Sequence, residues 1–377
     1  MTKTVMLIAG EASGDKHGAE IVRRLHASDS DLKFTGMGST HMRTAGVELL
    51  LDSRNIAVVG LFEVLAHWNE IQAALKTLQN SIINNPPDLL LLIDYPEFNL
   101  KLAATAKSCG VKVLFYVSPQ VWAWRSGRVK KIGRVIDMMG VIFPFEVSLY
   151  EKHNVPVRYV GHPLTGNVNP AASRGQARLD FGLNPHRMTV ALLPGSRKSE
   201  IKRLLPLLAE TAGYIEKAVP GVQFILPVAS TLDPGEIRAA LAQYTTNITL
   251  TDNRTYDAVS CSDAAIVASG TATLEVALLQ TPMCIVYRVS PISYAIFKRL
   301  IKIQYVGLAN IVAGEQVAKE FIQENAEPRA IAEETVKQLK DDDYRNKLIE
   351  KLGLVKDRLG KLDGIQGISN LALEMLN

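Results

Sequence analysis

The sequence predicts an α/β protein of two doubly wound, Rossmann-like domains with a cleft between them and a helical C-terminus. Continuous apolar runs alternate with helical patterns along most of the chain, as in parallel strands that helices cover on both faces. The chain has 377 residues, which is more than one ordinary hydrophobic core accommodates. The segment 161–175 is rich in Gly, Pro and Asn and interrupts the alternation, so the domain boundary is expected there.

The N-terminal domain is predicted to span residues 1–165. Apolar runs indicate strands at 4–9, 33–37, 88–93, 112–118 and 136–143. Helical patterns lie near 14–26, 61–83, 98–109 and 124–133. Because helices separate these strands, the strands run parallel, and ligands are expected at their carboxyl ends.

The C-terminal domain is predicted to span residues 166–340 and to repeat the design. Its strands are expected near 188–193, 222–228, 247–250, 263–268 and 283–289. Its helices are expected near 199–218, 234–243, 255–261 and 271–279. From residue 316 onward the pattern is helical only. Residues 341–377 are therefore predicted to be helices that pack on the N-terminal domain or on a partner chain.

The composition is typical of a globular protein, with 47% hydrophobic and 21% charged residues. The formal net charge of +4 argues against a nucleic-acid partner, but it allows contact with an anionic membrane surface. The cysteines at 109, 261 and 284 have neither a disulfide pattern nor metal-ligand spacing. No apolar run reaches the roughly 18 residues of a membrane span. These features predict a protein of the reducing cytoplasm.

The loop GEASGDKHG, residues 10–18, separates the first predicted strand from the first helix. Its glycines lack the G-x-G-x-x-G spacing of a dinucleotide loop. Glu11 and Asp15 would also repel a pyrophosphate at this position. The loop is either a tight turn with Asp15 near a helix start or a polar wall of a binding site that includes His17.

Two segments of the second half have features of a phosphate site. LLPGSR, residues 192–197, places a Gly-Ser-Arg turn between a strand and a helix, so backbone N–H groups and Arg197 can meet an anion. ASGTATLE, residues 268–275, repeats this design, and Glu275 could accept hydrogen bonds from a ribose diol. Each segment alone could be ordinary, with a surface arginine or a glutamate that complements a helix dipole. Together, at successive strand ends, they predict a nucleotide-diphosphate site.

Six motifs occur in order along the chain: GEASGD (10–15), SPQVWAWRSGRVKKI (118–132), YVGHP (159–163), LLPGSR (192–197), ASGTATLE (268–275) and YVGLANIVAGEQ (305–316). In these motifs the chain resembles the lipid-A-disaccharide synthase family, bacterial glycosyltransferases of the two-domain GT-B type. The resemblance implies transfer of a sugar from UDP-2,3-diacylglucosamine to the 6-hydroxyl of 2,3-diacylglucosamine 1-phosphate. The products are a β-1,6-linked disaccharide 1-phosphate and UDP. Because both substrates carry acyl chains, it also implies a peripheral protein at the inner face of the cytoplasmic membrane.

This reaction inverts the sugar centre and needs a base for the acceptor hydroxyl. Asp94 is the candidate base, because it follows the buried run 89–93 and so lies at the carboxyl tip of a central strand. The alternative role for Asp94 is a turn or helix cap. Glu11, Asp15 and His17 are expected on the same wall, where they hydrogen-bond sugar hydroxyls or assist the base. Further acceptor-side candidates are Ser13, Gly14 and Asn99.

On the donor side, Arg197 would neutralise the leaving UDP. The groups expected to donate to its phosphates are Ser269, Gly270, Thr271 and Thr273, and Glu275 would bind the ribose. The resemblance adds Asn310 and Gln316 as polar contacts. No metal or other cofactor is predicted: Asp29-Ser30-Asp31 lies at the wrong end of the sheet, and Asp341 to Asp343 lie in the helical C-terminus.

Acyl chains and a sugar phosphate call for apolar and basic surface. In SPQVWAWRSGRVKKI the candidates are Trp122, Trp124, Arg125 and Arg128. This segment could also be a membrane-facing helix, or core tryptophans beside solvated cations. A helical pattern at 57–71 is either a core helix or a membrane patch, and the patch would include Val59, Phe62 and Trp68. The mixed basic and apolar segment 291–305 has the same two interpretations.

Other functions compete with this one. A UDP-N-acetylglucosamine epimerase or the peptidoglycan transferase would use the same fold, and a non-catalytic nucleotide-sugar binding module is a third possibility. An epimerase needs neither an acceptor nor apolar entry helices, so PQVWAWR and 57–71 disfavour it. His162 of YVGHP is expected to be structural. A homodimer is compatible with the helical C-terminus.

Overall fold

The computed structural model describes residues 2–55, 68–124, 126–289, 294 and 304–377. The chain divides into two compact units, residues 1–165 with 361–377, and residues 166–360. The first unit thus ends inside the segment where the sequence analysis places the boundary. The predicted third segment, 341–377, is not a single piece, because its first part belongs to the second unit and its last part to the first.

The first unit contains a seven-stranded parallel sheet with the order β3-β2-β1-β4-β5-β6-β7. Its strands are β1 Thr4–Ala9, β2 Lys33–Gly38, β3 Glu48–Asp52, β4 Leu89–Ile93, β5 Lys112–Tyr116, β6 Met138–Val141 and β7 Val157–Tyr159. Every residue of β4 is buried, as expected for a central strand covered on both faces. Ala9 pairs with Ile93, and Ile93 pairs with Tyr116. The three central strands therefore end level, and the residues that follow them share one edge.

The helices of this part of the chain cover the sheet. They are α1 Ala12–Ser28, α2 Thr40–Thr44, α3 Trp68–Asn84, α4 Pro96–Ser108, α5 Val121–Trp124, α6 Val129–Gly133 and α7 Pro144–Glu151. Apolar side chains of α3 and α4, such as Leu78 and Leu102, pack with Leu90 and Leu92 of β4 in one core. The buried face thus repeats at the helical period that the sequence shows.

The second unit contains a six-stranded parallel sheet with the order β10-β9-β8-β11-β12-β13. Its strands are β8 Thr189–Leu193, β9 Gln223–Val228, β10 Ile248–Asp252, β11 Ala264–Ala268, β12 Met283–Tyr287 and β13 Lys319–Ile322. Its helices are α8 Arg174–Asp180, α9 Lys198–Ala218, α10 Pro234–Leu241, α11 Thr255–Ser260, α12 Ala272–Leu278, α13 Leu308–Ala313, α14 Pro328–Lys340 and α15 Asp342–Leu359. The prediction of helices only after residue 316 is wrong, because β13 completes the sheet at its edge.

The last helix, α16, spans Gly364–Leu376 and packs on the first unit. Asp363 caps its start by accepting hydrogen bonds from the backbone N–H groups of Ile365 and Gln366. At its other end, Lys3 Nζ donates to the carbonyl of Leu376 at 2.7 Å. A cation at the carboxyl end of a helix also complements the helix dipole. Asp363 also accepts from Arg24 Nη2 of α1 at 2.9 Å, so both ends of α16 are tied to the N-terminal part of the first unit.

Close backbone packing of α16 leads to the first prediction. A Cβ added at Gly367 would lie 1.9 Å from the carbonyl oxygen of Val160, which is backbone and cannot yield as a side chain does. We expect Gly367→Ala to lower the free energy of unfolding by about 1–3 kcal/mol, as overpacking does. The matched control is Gly353→Ala in α15, where the nearest atom is 3.8 Å away. Urea denaturation of both variants tests this, and equal stability of the two would contradict it.

Candidate functional site

A cavity of about 340 Å³ opens at the carboxyl ends of β8, β9 and β11 in the second unit. Its walls combine the two segments that the sequence analysis assigns to phosphate binding. The residues that line it are Leu193, Gly195, Ser196, Arg197, Glu200, Pro227, Ala229, Thr255, Ala268, Ser269, Gly270, Thr271, Ala272 and Glu275. The fold thus brings together five of the predicted donor-site residues, which are Arg197, Ser269, Gly270, Thr271 and Glu275.

The turn after β8 presents Arg197 at the start of α9. Gly195 has φ +111°, and a Cβ there would lie 2.3 Å from Glu200 Oε2. Glycine is therefore required for the turn to close over the helix start. The Arg197 side chain is 66% exposed and lies 3.6 Å from Glu200 through Nη1 and Oε1. An exposed ion pair at this distance contributes little stability, so the guanidinium can engage an anion.

The turn after β11 lines the same cavity with its backbone. The N–H group of Ser269 donates to the carbonyl of Val286 at 2.9 Å, which continues the sheet by one residue. Gly270 then turns with φ +154°, and a Cβ there would meet nothing within 4 Å. Its backbone is open to close approach by a ligand. Glu275 lines the cavity one helical turn later, and burial raises the pKa of its carboxyl.

Three of the predicted donor contacts, Ser269, Thr273 and Asn310, make their side-chain hydrogen bonds within the chain, and of the three only Ser269 lines the cavity. Thr273 is fully buried, and its hydroxyl donates to the carbonyl of Gly270 at 2.8 Å. Asn310 is also fully buried and uses both ends of its amide within the chain. Its Nδ2 donates to the carbonyl of Ala318, and its Oδ1 accepts from the N–H group of Val317, each at 2.8 Å. The side chains of Thr273 and Asn310 hold loops together and do not face the cavity.

The sequence analysis missed Glu320, which lies on the unpredicted strand β13. Its carboxylate accepts hydrogen bonds from the N–H groups of Val306 and Gly307 at 2.9 Å, and from Asn310 Nδ2 at 2.8 Å. The carbonyl of Val306 in turn accepts from Ser269 Oγ at 3.0 Å. The YVGLAN motif is thereby fixed beside the turn after β11. Gln316 is exposed and is not one of the cavity-lining residues.

In the first unit, Asp94 follows β4 directly and is held in a strained turn. Its φ is +49°, and that of Tyr95 is +50°, both in the left-handed region. Asp94 N–H donates to the carbonyl of Tyr116 at 2.9 Å, and Asn99 Nδ2 donates to the carbonyl of Asp94 at 2.6 Å. Asn99, a predicted acceptor-side residue, is fully buried, and its hydrogen bond to Asp94 supports this turn. Left-handed residues of this kind concentrate at functional sites.

Two carboxylates lie near each other at this edge. Burial raises the pKa of Asp94, and the negative charge of Glu11 raises it further. Gly10, which precedes Glu11, has a close neighbour in the Tyr95 ring, since an added Cβ would lie 2.5 Å from it. The glycine that opens the first loop thus makes room for the aromatic ring of the Asp94 turn.

Asp15, predicted to be catalytic, is a structural residue. It is 1% exposed, and its carboxylate accepts from the N–H groups of Ser39, His41 and Met42 at 2.5, 3.0 and 3.2 Å. It therefore caps α2, a helix about 25 residues away in the chain. Gly14 is buried against Ala9. Ser13 is exposed at the start of α1, so it is the accessible member of this group.

His17 is half-buried and His162 is buried, and the pKa of each imidazole is lowered. The His17 ring lies edge-on to the Tyr116 ring at 6.5 Å, and burial and the charge of Lys16 lower its pKa. Burial and nearby His17 lower the pKa of His162 to about 4. His162 Nδ1 accepts from the N–H group of Leu164 at 3.1 Å, which puts the ring proton on Nε2. With a pKa of about 4, the His162 ring is neutral at pH 7.

The PQVWAWR segment lies over a buried carboxyl group. Trp122 packs edge-on to Phe145, with ring centroids 5.5 Å apart. Its indole N–H is buried and close enough to the Glu146 carboxyl to favour the charged form of that group. Glu146, one residue after Phe145, is 1% exposed and accepts from the N–H group of Phe143 at 3.1 Å. Burial raises the pKa of Glu146 to about 8, so it is largely protonated at pH 7.

The remaining lipid-side candidates are only partly described. Arg128 is paired with Glu97 at 2.7 Å. Trp68 begins α3 and is 48% exposed, with Lys101 Nζ 5.5 Å from its ring centroid. Outside the described positions lie Val59, Phe62, Arg125, the Trp124 side chain and nearly all of 291–305.

Within the residues that the structure describes, every helix is too short or too polar to cross a membrane. No group of three or more His, Cys, Asp or Glu side chains there is arranged to hold a metal ion.

Comparison with known sequences gives a match over almost the whole chain. The family model of lipid-A-disaccharide synthetase matches residues 5–361. The lipid-A-disaccharide synthase of Geobacter sulfurreducens is 50% identical over 372 residues, which cover 99% of this chain and 97% of the relative. The enzyme of the same name from Geobacter metallireducens is 49% identical over 374 residues, again 99% of this chain and 97% of the relative.

Comparison with solved structures identifies the GT-B fold. The glycotransferase of kitacinnamycin has a TM-score of 0.64 at 14% identity, covering 100% of this chain and 99% of its own. The UDP-GlcNAc 2-epimerase from Neisseria meningitidis, solved with UDP-GlcNAc bound, has a TM-score of 0.63 at 12% identity, covering 98% and 100%. Glycosyltransferases and epimerases share this fold, so the fold alone does not separate the two activities.

The buried carboxyl of Glu146 leads to the second prediction. Its folded pKa lies above its unfolded value, so the protonated form is favoured in the fold. The protonated Glu146 carboxyl therefore contributes fully to the free energy of unfolding below the pKa that this group has in the unfolded chain. That contribution is lost as the pH rises toward 8. We expect Glu146→Gln to remove this loss, which has a slope of about 1.4 kcal/mol per pH unit. Urea denaturation at pH 5 and pH 8 measures the effect.

The control for this prediction is Glu151→Gln, an exposed carboxylate on the same helix. The stability difference between variant and wild type should grow from pH 5 to pH 8 for Glu146→Gln only. A difference that is the same at both pH values would contradict the prediction.

Proposed function

The chain belongs to the lipid-A-disaccharide synthetase family, and we propose that it transfers 2,3-diacylglucosamine from UDP to the 6-hydroxyl of 2,3-diacylglucosamine 1-phosphate. The products are the β-1,6-linked disaccharide 1-phosphate and UDP. It is a glycosyltransferase, and the change from an α-linked donor to a β-linked product makes the transfer inverting. The observation that carries this proposal is the meeting of the LLPGSR and ASGTATLE segments around one cavity.

The cavity supports binding of the donor's UDP group. Its volume of about 340 Å³ is within the range of small-molecule sites. Arg197 supplies a permanent positive charge for the diphosphate. Gly270 allows close approach of phosphate oxygens to the backbone, and Ser269 and Thr271 flank it. Glu275 is placed to accept hydrogen bonds from the ribose diol. Positive charge at the leaving group stabilises the transition state as UDP departs.

Asp94 is the proposed general base. Its carboxylate removes the proton of the acceptor 6-hydroxyl, the oxygen attacks C1 of the donor sugar, and the C1–O bond to the diphosphate breaks with its electron pair on UDP. The raised pKa of Asp94 makes it a stronger base than an ordinary carboxylate. Glu11 and His17 are proposed to contact hydroxyl groups of the acceptor. Asp15 is left out of this proposed set, because its carboxylate already accepts hydrogen bonds from the N–H groups of Ser39 and His41.

We further propose that the reaction needs no metal, since Arg197 supplies the charge that a metal would. The acyl chains of both substrates favour action at the inner face of the cytoplasmic membrane, with the exposed ring of Trp68 near the lipid. A homodimer completes this proposal, and light scattering on the purified protein tests it.

The third prediction concerns the base. In detergent with EDTA, we expect the wild type to release UDP only when both acylated glucosamine substrates are present. Asp94→Asn should lower kcat by about 10²–10⁴, the usual contribution of general acid–base catalysis. The control is Asp343→Asn, an exposed carboxylate of α15. A normal rate for Asp94→Asn would show that another residue is the general base. UDP release without acceptor would instead indicate the alternative, an epimerase-type reaction.

The fourth prediction concerns the pH profile. Because the charge of Glu11 contributes to the raised pKa of Asp94, Glu11→Gln should lower that pKa. The rate falls as the pH drops through the pKa of the base, so this acid limb should move to lower pH in the variant. The log of kcat/KM against pH measures the shift. The control is Glu20→Gln, which removes a charge from α1, the helix that follows Glu11, and a limb at the same pH in both variants would contradict the prediction.

A further inference from the structure

The carboxylate of Glu200 already occupies the start of α9. The backbone N–H groups of Ser196 and Arg197 donate to Glu200 Oε2 at 2.9 and 3.1 Å. The other carboxylate oxygen lies 3.6 Å from Nη1 of Arg197. Glu200 thus accepts from consecutive N–H groups and pairs with the adjacent guanidinium, which is how a phosphate binds at a helix start.

These are the same groups that the donor diphosphate would use. Gly195, Ser196, Arg197 and Glu200 all line the 340 Å³ cavity, together with the Ser269–Gly270 turn. A carboxylate and a phosphate oxygen cannot accept from the same N–H groups at once, and the two negative charges repel. Binding of a diphosphate at this turn therefore requires the Glu200 side chain to move.

We propose that Glu200 is an internal competitor of the donor diphosphate. Its carboxylate leaves the N–H groups of Ser196 and Arg197 when the diphosphate binds, and it returns when UDP departs. This inference rests on the proposed function of the cavity. Glu200 therefore weakens the binding of UDP and promotes its release after transfer, while it keeps the turn formed between catalytic cycles.

If Glu200 acted only as a helix cap, its substitution would have a different effect on UDP binding. The role of cap and the role of competitor can therefore be distinguished. Glutamate and glutamine both serve at this position of a capping box, because the cap needs an acceptor oxygen and not a charge. Glu200→Gln keeps the oxygen that accepts from the two N–H groups and removes the charge that repels the diphosphate. A cap would tolerate this change with no effect on ligand affinity.

The experiment is calorimetric titration of UDP into the full chain, in EDTA and at low ionic strength. The control is Glu236→Gln, which removes a charge that pairs with Lys198, the first residue of α9, at 3.2 Å. We expect Glu200→Gln to bind UDP about three- to tenfold more tightly, with the gain reduced at high salt by screening. The control should bind within about twofold of wild type. Thermal unfolding verifies that both variants are folded.

The outcomes distinguish this inference from the proposed function. Tighter UDP binding by Glu200→Gln alone supports the competitor role. Equal or weaker binding by Glu200→Gln, with measurable affinity in the wild type, overturns it and leaves a cap or a support for Arg197. Absence of UDP binding in all three proteins overturns the donor-site assignment and, with it, the inference. If Glu200→Gln is unstable, Glu200→Ala gives a second test, because it removes the competing carboxylate and should also tighten UDP binding; weaker binding by a folded Glu200→Ala would count against the competitor role.

Discussion

Parallel backbone pairing of buried strands is the constraint on which both candidate sites depend. In each unit a hydrogen bond beside the candidate site continues the ladder past the end of a strand. Asp94 N–H donates to the carbonyl of Tyr116, and Ser269 N–H donates to the carbonyl of Val286. The register of the central strands makes their carboxyl ends level, so the residues that follow lie at one edge. Because each strand is buried on both faces, a shift in register would break the core and the site together.

Carboxylates that accept from backbone N–H groups organise the loops at these edges. Asp15 holds the start of α2, Glu200 holds the turn after β8, and Glu320 holds the loop before α13. Such a carboxylate replaces the water that would otherwise satisfy exposed N–H groups. Asp94 differs from these three, since burial and a neighbouring negative charge raise its pKa. Asp15, Glu200 and Glu320 thus build loops at these edges, whereas Asp94 is the residue proposed as the base.

The fold is compatible with more than one enzyme activity, whereas the sequence motifs are specific to one family. A glycosyltransferase and an epimerase superimpose on this chain with nearly equal scores at low identity. The family match and the order of the motifs identify a lipid-A-disaccharide synthetase. The physical reason is that one sheet architecture presents a nucleotide site at its strand ends, while the acceptor and the reaction depend on a few loop residues.

The sequence by itself determined the two-unit α/β architecture, most central strands, and the meeting of Arg197 with the Ser269–Thr271 turn. These follow from local patterns, because apolar runs mark buried strands and parallel strands end together. It did not reveal β3, β7 or β13, which are edge strands with short, partly polar sequences and only one neighbour. Only the tertiary structure decided the roles of Asp15, Thr273, Asn310 and Glu320. The partners of a polar side chain come from elements distant in the chain, so its type and position do not tell whether its hydrogen bonds are already used.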